Sequence, residues 1–179
     1  MGMNEKRVPW YALRVRKGFE RVVLNNLSRR GFEVFMPSST SRRRADNKRL
    51  QAPLFPGYLF CRANPAGKRS VLNTPGVLYI AGNANARGCV VDEIEIAAVK
   101  TVVQSPLSCQ SSLLLDTGPR VRVAGGPLRN LEGVFVDKGS RYRIAISLSL
   151  LQRSVLVDLP KGTRVEYLSD NRMAIQVPA

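Results

Sequence analysis

The order of apolar and polar residues changes once along this chain, near residue 104, and this change limits the folds that the chain can adopt. Before it, alternating apolar runs are interleaved with runs whose apolar residues recur every three or four positions. Beyond residue 115 only short alternating runs remain, such as RVRVA (120–124) and GVFVD (133–137), separated by breaks rich in glycine, proline and lysine. The first pattern predicts helices mixed with strands, and the second predicts a small antiparallel barrel.

In the first part, the predicted order of elements is β-α-β-β-α-β-α. WYALRVR (10–16) is typical of a strand, and the apolar spacing over residues 18–30 predicts a helix that Gly31 ends in a left-handed conformation. FEVFMP, YLFCR and GVLYIAG predict further strands, and the basic block over residues 38–52 predicts an exposed loop or the tip of a hairpin. We therefore expect an α+β protein whose first domain is an antiparallel sheet flanked by helices.

The segment between the two parts contains serines and a proline but no charged residue. This composition is typical of a flexible linker. We predict a first domain over residues 8–103, a linker over residues 104–115 and an all-β second domain over residues 116–170.

The charge of the chain points to a class of partner. It carries 28 Lys and Arg residues against 13 Asp and Glu residues, a formal net charge of +15. A surplus of this size indicates a polyanionic partner, either nucleic acid or an acidic membrane surface. No apolar run is long enough to cross a bilayer, and the first residues lack the apolar core of a signal peptide. We expect a cytoplasmic monomer that binds nucleic acid and no membrane.

Residues that catalyse reactions or bind metals are sparse. The chain has no histidine, and Cys61, Cys89 and Cys109 are isolated thiols without a C-x-x-C pair. Neither a zinc site nor a disulfide framework is supported, and the commonest general base is missing. We expect no metal, no cofactor and no enzymatic activity, with Cys61 serving as a core residue of its strand.

The most aromatic segment, APLFPGYLFCR (52–62), also holds two prolines and a glycine. Pro53 and Pro56 restrict the residues before them to extended conformations, and a Pro-Gly pair fits the centre of a tight turn. Aromatic side chains that are fixed in advance lose little entropy when they dock on a partner. The segment is therefore either a binding surface or part of the core.

Several motifs together resemble one family. WY at residues 10–11, GFE at residues 18–20, FPGYLF and NTPGV occur in the order and spacing of the N-terminal domain of NusG-type transcription elongation factors. GPRVRVAGGPLRNLEGVF (118–135) is similar to the KOW module of the same proteins. The resemblance implies binding of RNA polymerase across the DNA cleft, which keeps the clamp closed and alters pausing, while the KOW module recruits a second partner.

The resemblance places a polymerase-docking patch on the aromatic segment and the first strand, where the family grips the coiled-coil clamp helices of RNA polymerase. Carried over by motif position, the patch comprises Trp10, Tyr11, Leu54, Phe55, Pro56 and Tyr58. The alternative is that all of these are core residues. Alternation along the strands predicts that Trp10 and Phe60 face inward. Tyr11, Phe55 and Tyr58 are then the expected surface residues.

Basic residues supply a candidate DNA-binding face, because arginine and lysine bind phosphate. In some family members the Asn-Thr pair of NTPGV also touches bases of the non-template strand. Both features have an alternative: the basic block is a solvated hairpin tip, and the Asn-Thr pair is a helix end followed by a turn. The candidate nucleic-acid-binding residues are Arg14, Arg16, Lys17, Arg42, Arg43, Arg44, Lys48, Arg49, Asn73 and Thr74.

The KOW module departs from the common family pattern. General NusG proteins usually place phenylalanines at the positions that dock the Rho factor or a ribosomal protein. Here the corresponding partner-binding residues are Leu128, Leu131, Leu151, Gln152 and Arg153. In this respect the chain is more similar to the specialised paralogues of the UpxY and RfaH groups, which antiterminate selected operons. We expect such a regulator; the alternatives are a housekeeping NusG factor and, because KOW modules occur in ribosomal proteins, an RNA-binding translation protein.

Overall fold

The computed structural model describes residues 8–42, 49–82, 89–137, 141–168 and 174–177. The elements up to residue 104 are β1 (Trp10–Val15), α1 (Glu20–Arg29), β2 (Val34–Phe35), β3 (Ser38–Arg42), β4 (Arg49–Pro53), β5 (Tyr58–Arg62), α2 (Pro65–Leu72), β6 (Val77–Ile80), β7 (Val90–Val91) and α3 (Glu93–Gln104). The remaining strands are β8 (Cys109–Leu113), β9 (Arg120–Val123), β10 (Glu132–Asp137), β11 (Tyr142–Leu148), β12 (Arg153–Asp158), β13 (Arg164–Tyr167) and β14 (Ala174–Gln176). The mixture of helices and antiparallel strands confirms the predicted α+β class.

The chain divides into two compact units. The first unit consists of Met1–Met36 and Phe55–Glu93, and the second consists of Pro37–Leu54 and Ile94–Ala179. The predicted domain limits, residues 8–103 and 116–170, stay predictions. No helix among the described residues has both the length and the apolar composition needed to cross a membrane.

β1 is the central strand of the sheet in the first unit. The strand order is β2-β5-β1-β6, with β7 also paired to β1, and all pairings are antiparallel. Apolar side chains of β1 and β5 pack with those of α1 and α2. The buried members of this core are Tyr11, Leu13, Val15, Val23, Leu27, Leu59, Cys61, Ala63 and Val71. Four consecutive residues of β1, from Trp10 to Leu13, are all buried, so both faces of the strand are covered.

Recognisable sequence signals mark the end of α1 and the beginning of α2. α1 is followed by Gly31, whose φ of +82° is the left-handed conformation that the sequence predicted. α2 begins with Pro65 in its first turn, where the missing N–H of proline costs nothing. The side chain of Asn64 caps the same end and accepts a hydrogen bond from Gly67 N at 2.7 Å.

The second unit contains a seven-stranded antiparallel sheet with the order β14-β13-β9-β10-β11-β12-β8. Every strand predicted after residue 115 is present in it. Alternate apolar residues are buried, among them Val121, Val123, Ile144, Ile146, Val155, Val157 and Val165. Gly133 permits the close approach of β10 and β11, because a Cβ at this position would lie 2.5 Å from the carbonyl oxygen of Ala145.

The prediction of a flexible coil over the whole of residues 104–115 is wrong. α3 extends to Gln104, and Cys109–Leu113 forms β8, which pairs with the outer edge of β12. Leu115 N donates to the hydroxyl of the buried Ser154 at 2.9 Å, which extends the attachment beyond the strand. An uncharged serine-rich sequence has a weak strand preference of its own. It becomes a strand here because β12 offers backbone groups that need partners.

Candidate functional site

The first unit exposes a row of three side chains across three neighbouring strands. Arg14 of β1 lies opposite Tyr58 of β5 on one side and opposite Tyr79 of β6 on the other. Directly opposed residues share one face of a sheet, so the three side chains form a line, here called the Tyr–Arg–Tyr row. The guanidinium carbon of Arg14 lies 4.7 Å from the ring centroid of Tyr58. Tyr79 is 51% exposed, and Tyr58 and Arg14 are partly buried.

A tight turn before β5 holds one end of this row in place. Gly57 has a φ of +80°, and its N–H donates to the carboxylate of the buried Glu20 at 2.9 Å. The carbonyl of Gly57 accepts from Val15 N at 2.9 Å, which ties the turn to β1. A Cβ on Gly57 would lie 2.6 Å from Nη1 of Arg14, so the absence of a side chain lets Arg14 reach Tyr58. Glu20 stands in the first turn of α1, where the helix dipole favours a negative charge.

The structure buries four of the six residues predicted to dock polymerase: Trp10, Tyr11, Leu54 and Phe55. The expectation that Tyr11 and Phe55 lie at the surface is wrong, since they are only 4% and 3% exposed. Phe55 packs edge-on against Phe60, with 6.4 Å between the ring centroids. The expectation that Trp10 and Phe60 are inward residues is confirmed by their burial. Alternation failed for Tyr11 because it assumes one exposed face, whereas both faces of β1 are covered.

Pro56 and Tyr58 are the members of the predicted patch that stay accessible. Tyr79 lies on the side of Arg14 opposite Tyr58 and was not among the predicted residues. The strand GVLYIAG was predicted, but its register against β1 was not. Without that register, no local signal distinguishes Tyr79 from a core aromatic residue of its strand.

Trp10 has a structural environment of its own. The guanidinium of Arg62 lies over its ring, with Cζ 5.0 Å from the centroid, and Arg62 also pairs with Glu93. The indole Nε1 of Trp10 donates to the same Glu93 carboxylate at 3.4 Å. These contacts together fix Trp10 as part of the fold and remove it from the accessible patch.

Among the predicted nucleic-acid-binding residues, Arg14 lies in the Tyr–Arg–Tyr row, and the other basic residues fall into three groups. Arg16 and Lys17 are exposed just beyond β1, and Arg16 lies over the ring of Phe19, 5.5 Å from its centroid. Arg42 and Arg49 are paired partners on the antiparallel strands β3 and β4, and their contact with DNA stays a prediction. Arg43, Arg44 and Lys48 lie outside the described residues.

Asn73 and Thr74, the Asn-Thr pair after α2, differ in accessibility. Asn73 is exposed at the C-terminal cap of α2. Thr74 is only 2% exposed; its hydroxyl accepts from Nη1 of Arg30 at 2.7 Å and donates to the carbonyl of Ser70 at 3.2 Å. For Thr74 the geometry favours the structural alternative, because its buried hydroxyl joins α1 to α2.

The predicted partner-binding residues of the second unit are only partly accessible. Leu128 and Leu131 are core residues, which corrects the prediction for both. A short 3-10 helix ending at Leu128 folds the loop back, and Val123 N donates to the carbonyl of Leu131 at 2.9 Å, so both leucines reach the sheet. Gln152 and Arg153 are exposed.

Leu151, the remaining predicted partner-binding residue, is half-buried in a 3-10 helix that begins at Ser149. The carboxylate of Glu95, on α3, accepts from the Ser149 hydroxyl at 2.7 Å and from its N–H at 3.2 Å. The accessible residues Gln152 and Arg153 therefore follow a turn that Glu95 holds to α3.

The described side chains contain no group of three or more His, Cys, Asp or Glu residues that could hold a metal ion. Burial raises the pKa of the Cys61 thiol to about 12, and the negative charge of Glu33 adds to the effect. Cys61 is completely buried, as expected of a core residue, and its thiolate is too unfavourable to act as a nucleophile.

A family model and curated relatives agree on one family. A family model described as "Transcription termination factor nusG" matches residues 8–100. The chain is 26% identical over 165 residues to the transcription termination/antitermination protein NusG of Pseudomonas aeruginosa, covering 84% of this chain and 93% of that protein. It is 25% identical over 166 residues to NusG of Staphylococcus epidermidis, with 84% and 91% covered. A solved structure described as "Domain interaction in Thermotoga maritima NusG" is similar with a TM-score of 0.49 and 17% identity, covering 83% of this chain and 92% of that one.

Proposed function

Since the chain belongs to the NusG family of transcription factors, we propose that it is a specialised elongation and antitermination regulator that binds RNA polymerase through the Tyr–Arg–Tyr row and Pro56. The observation that carries this proposal is the placement of an exposed and a partly buried tyrosine on either side of an oriented arginine. Tyrosine and arginine are enriched at protein interfaces, where they supply apolar area together with a polar tip. The clamp helices of polymerase are the proposed partner of this row.

Nucleic acid is the proposed second partner of the first unit. Arg16 and Lys17 are exposed beside the row and carry charges that bind phosphate without reading sequence. Asn73 is the remaining candidate for a base contact, because its side chain is exposed and an amide pairs with base edges. Docking on polymerase would thus be combined with contacts to the DNA of the transcription bubble, in the cytoplasm.

The second unit supports a specialised role for one reason. Two of the five predicted partner-binding residues, Leu128 and Leu131, are core residues and offer no surface to the Rho factor or a ribosomal protein. The accessible remainder, Leu151 to Arg153, is a small apolar and basic surface. We expect it to bind a partner more weakly than a phenylalanine-bearing surface would, because aromatic anchors dominate interface energies.

A housekeeping NusG factor is the second candidate, since the two relatives described above are both named transcription termination/antitermination protein NusG. The two roles differ in the number of genes at which the protein accompanies polymerase. Mapping the DNA that copurifies with this chain and polymerase distinguishes them: a specialised regulator occupies a few operons, and a housekeeping factor occupies most transcribed genes.

Binding to polymerase itself is tested by cosedimentation of the chain with purified core RNA polymerase and, in parallel, with ribosomes. We expect the chain to sediment with polymerase and to leave ribosomes unbound in the absence of transcription. Sedimentation with ribosomes alone would contradict the proposal and favour an RNA-binding translation protein.

A further inference from the structure

Glu20 is a carboxylate that the fold buries in the first unit. It is the last residue of the motif GFE and the first residue of α1, and it is only 6% exposed. Burying a charged carboxylate is unfavourable unless hydrogen bonds or opposite charges compensate it. Here one carboxylate oxygen accepts from Gly57 N at 2.9 Å, and the helix dipole favours a negative charge at this end of α1. The burial of Glu20 is therefore compensated by a turn that precedes β5.

Gly57 joins both ends of the connection between β1 and α1. Its N–H is held by Glu20, where α1 begins, and its carbonyl accepts from Val15 N at 2.9 Å, where β1 ends. The turn is also closed within itself, because Tyr58 N donates to the carbonyl of Phe55 at 3.0 Å. A change at Glu20 would therefore release the turn from α1 while its attachment to β1 remains.

The same turn supplies the acceptor that orients Arg14. Nη1 of Arg14 donates to the carbonyl of Pro56 at 3.4 Å, and the guanidinium carbon lies 4.7 Å from the centroid of the Tyr58 ring. Arg14 is only partly buried, so a displaced acceptor would return to its side chain the rotamer freedom of a long surface residue. The orientation of Arg14 thus depends on where the turn is held.

We propose that Glu20 is a positioning residue for the docking of polymerase. Through the turn at Gly57 and the carbonyl of Pro56, its carboxylate fixes Arg14 in the orientation that the Tyr–Arg–Tyr row presents. The inference rests on the proposed function, in which this row is the docking surface. Glu20 itself is buried and acts on the partner only through Arg14. An ordered row loses less entropy on binding, so the loss of Glu20 should weaken the affinity of a chain that still folds.

The first test measures the orientation of Arg14 in the free chain, without polymerase. The ring current of Tyr58 should shift the NMR signals of the Arg14 δ-methylene protons upfield. Glu20→Ala should return these signals most of the way to their ordinary position. Glu20→Gln should leave them close to those of the unchanged chain, because its amide oxygen still accepts from Gly57 N. Unchanged signals in Glu20→Ala would overturn the proposal.

The second test measures the affinity of the full chain for a peptide of the clamp helices. Glu20→Ala should weaken binding by about tenfold, the scale of losing one hydrogen bond to a charged group, and Glu20→Gln should keep most of the affinity. The control is Val23→Ala, which removes buried methyl groups from the same helix. It should lower the melting temperature and leave the affinity unchanged. Equal losses of affinity in Val23→Ala and Glu20→Ala would make Glu20 a purely structural residue and overturn the proposal.

A double variant shows whether Glu20 acts through Arg14. Arg14→Met removes the guanidinium and should itself weaken binding. Adding Glu20→Ala to it should weaken binding little further, because both changes remove the same arrangement. Losses that multiply would contradict a role through Arg14. An unchanged chain that does not bind the peptide would contradict the proposed function, whereas the Arg14 signals of Glu20→Ala decide the role of Glu20 without polymerase.

Discussion

Arg14 and Tyr58 lie opposite each other on β1 and β5, with the guanidinium carbon 4.7 Å from the centre of the tyrosine ring. The contact orients the arginine before any partner arrives, so little of its freedom remains to be lost on binding. Tyr79 lies on the other side of Arg14 and is half exposed. The three side chains form a surface that is ordered in the free protein, which suits docking on a rigid partner.

Gly57→Ala tests how the row is held. A Cβ at this position would displace Arg14, and the φ of +80° is strained for alanine by about 1–2 kcal/mol. We expect lower thermal stability together with weaker polymerase binding. The control is Gly162→Ala, where φ is +77° and a Cβ would meet nothing within 4 Å. This variant should lose similar stability and keep binding; equal binding by both variants would show that Arg14 is not needed for docking.

Cys61 predicts a pH dependence of stability. Burial raises the pKa of its thiol from an ordinary value of 9.0 to about 12. The contribution of the protonated Cys61 thiol to the free energy of unfolding is complete below pH 9 and is lost as the pH rises toward 12. The reason is that the thiol of the unfolded chain releases its proton at a lower pH than the buried thiol does. We expect the free energy of unfolding to fall in this window by at most about 1.4 kcal/mol per pH unit. Urea unfolding of Cys61→Ala across the same pH range should show a shallower fall; parallel curves would contradict the assignment.

Substitutions at Thr74 and Asn73 should distinguish a residue that stabilises the fold from a residue that acts on polymerase pausing. Thr74→Val keeps the shape of the side chain but removes the hydroxyl that bonds Arg30 and Ser70. We expect it to cost about 1–3 kcal/mol of stability, the usual penalty for breaking such a buried hydrogen bond. Asn73→Ala should leave stability unchanged within about 0.5 kcal/mol and shift the template positions at which polymerase pauses. Denaturant melts and pause mapping check both; a stable Thr74→Val protein with altered pausing would reverse the assignment.

Arg16 and Lys17 are expected to contact phosphates in an elongation complex. Changing both to glutamine should reduce the slope of log affinity against log salt by about 0.9 for each lost contact on duplex DNA. The matched control changes Arg120 and Lys161, two exposed cations of the second unit, to glutamine. Binding measured over a salt series should respond to the first pair alone. An equal response to both pairs would indicate a general charge effect.

Much of the fold was predictable because its signals are local. The apolar period of α1 and the alternating runs of β9 to β13 are contained in short stretches of sequence, and the structure has these elements where they were expected. β8 was not predicted, because it depends on the edge of β12, which lies about 40 residues further along the chain.

The site was harder to predict than the fold. The sequence predicted the Pro-Gly turn before β5. It also predicted that Tyr11 and Phe55 lie at the surface, but the structure buries both. Exposure depends on what covers each face of β1, and alternation along one strand contains no information on that. Tyr79 was missed for a related reason, since its place beside Arg14 follows from the register of two strands distant in sequence.

The central claim is that the Tyr–Arg–Tyr row docks RNA polymerase, and the most direct measurement is the affinity of a Tyr58→Ala variant for a peptide of the clamp helices, taken together with its melting temperature. We expect the variant to melt close to the unchanged chain and to lose about 2 kcal/mol or more of binding free energy, as hot-spot truncations do. Phe55→Ala is the control, because truncating this buried ring should instead lower stability by about 3–5 kcal/mol. A Tyr58→Ala variant that folds normally and binds the peptide as tightly as the unchanged chain would contradict the account.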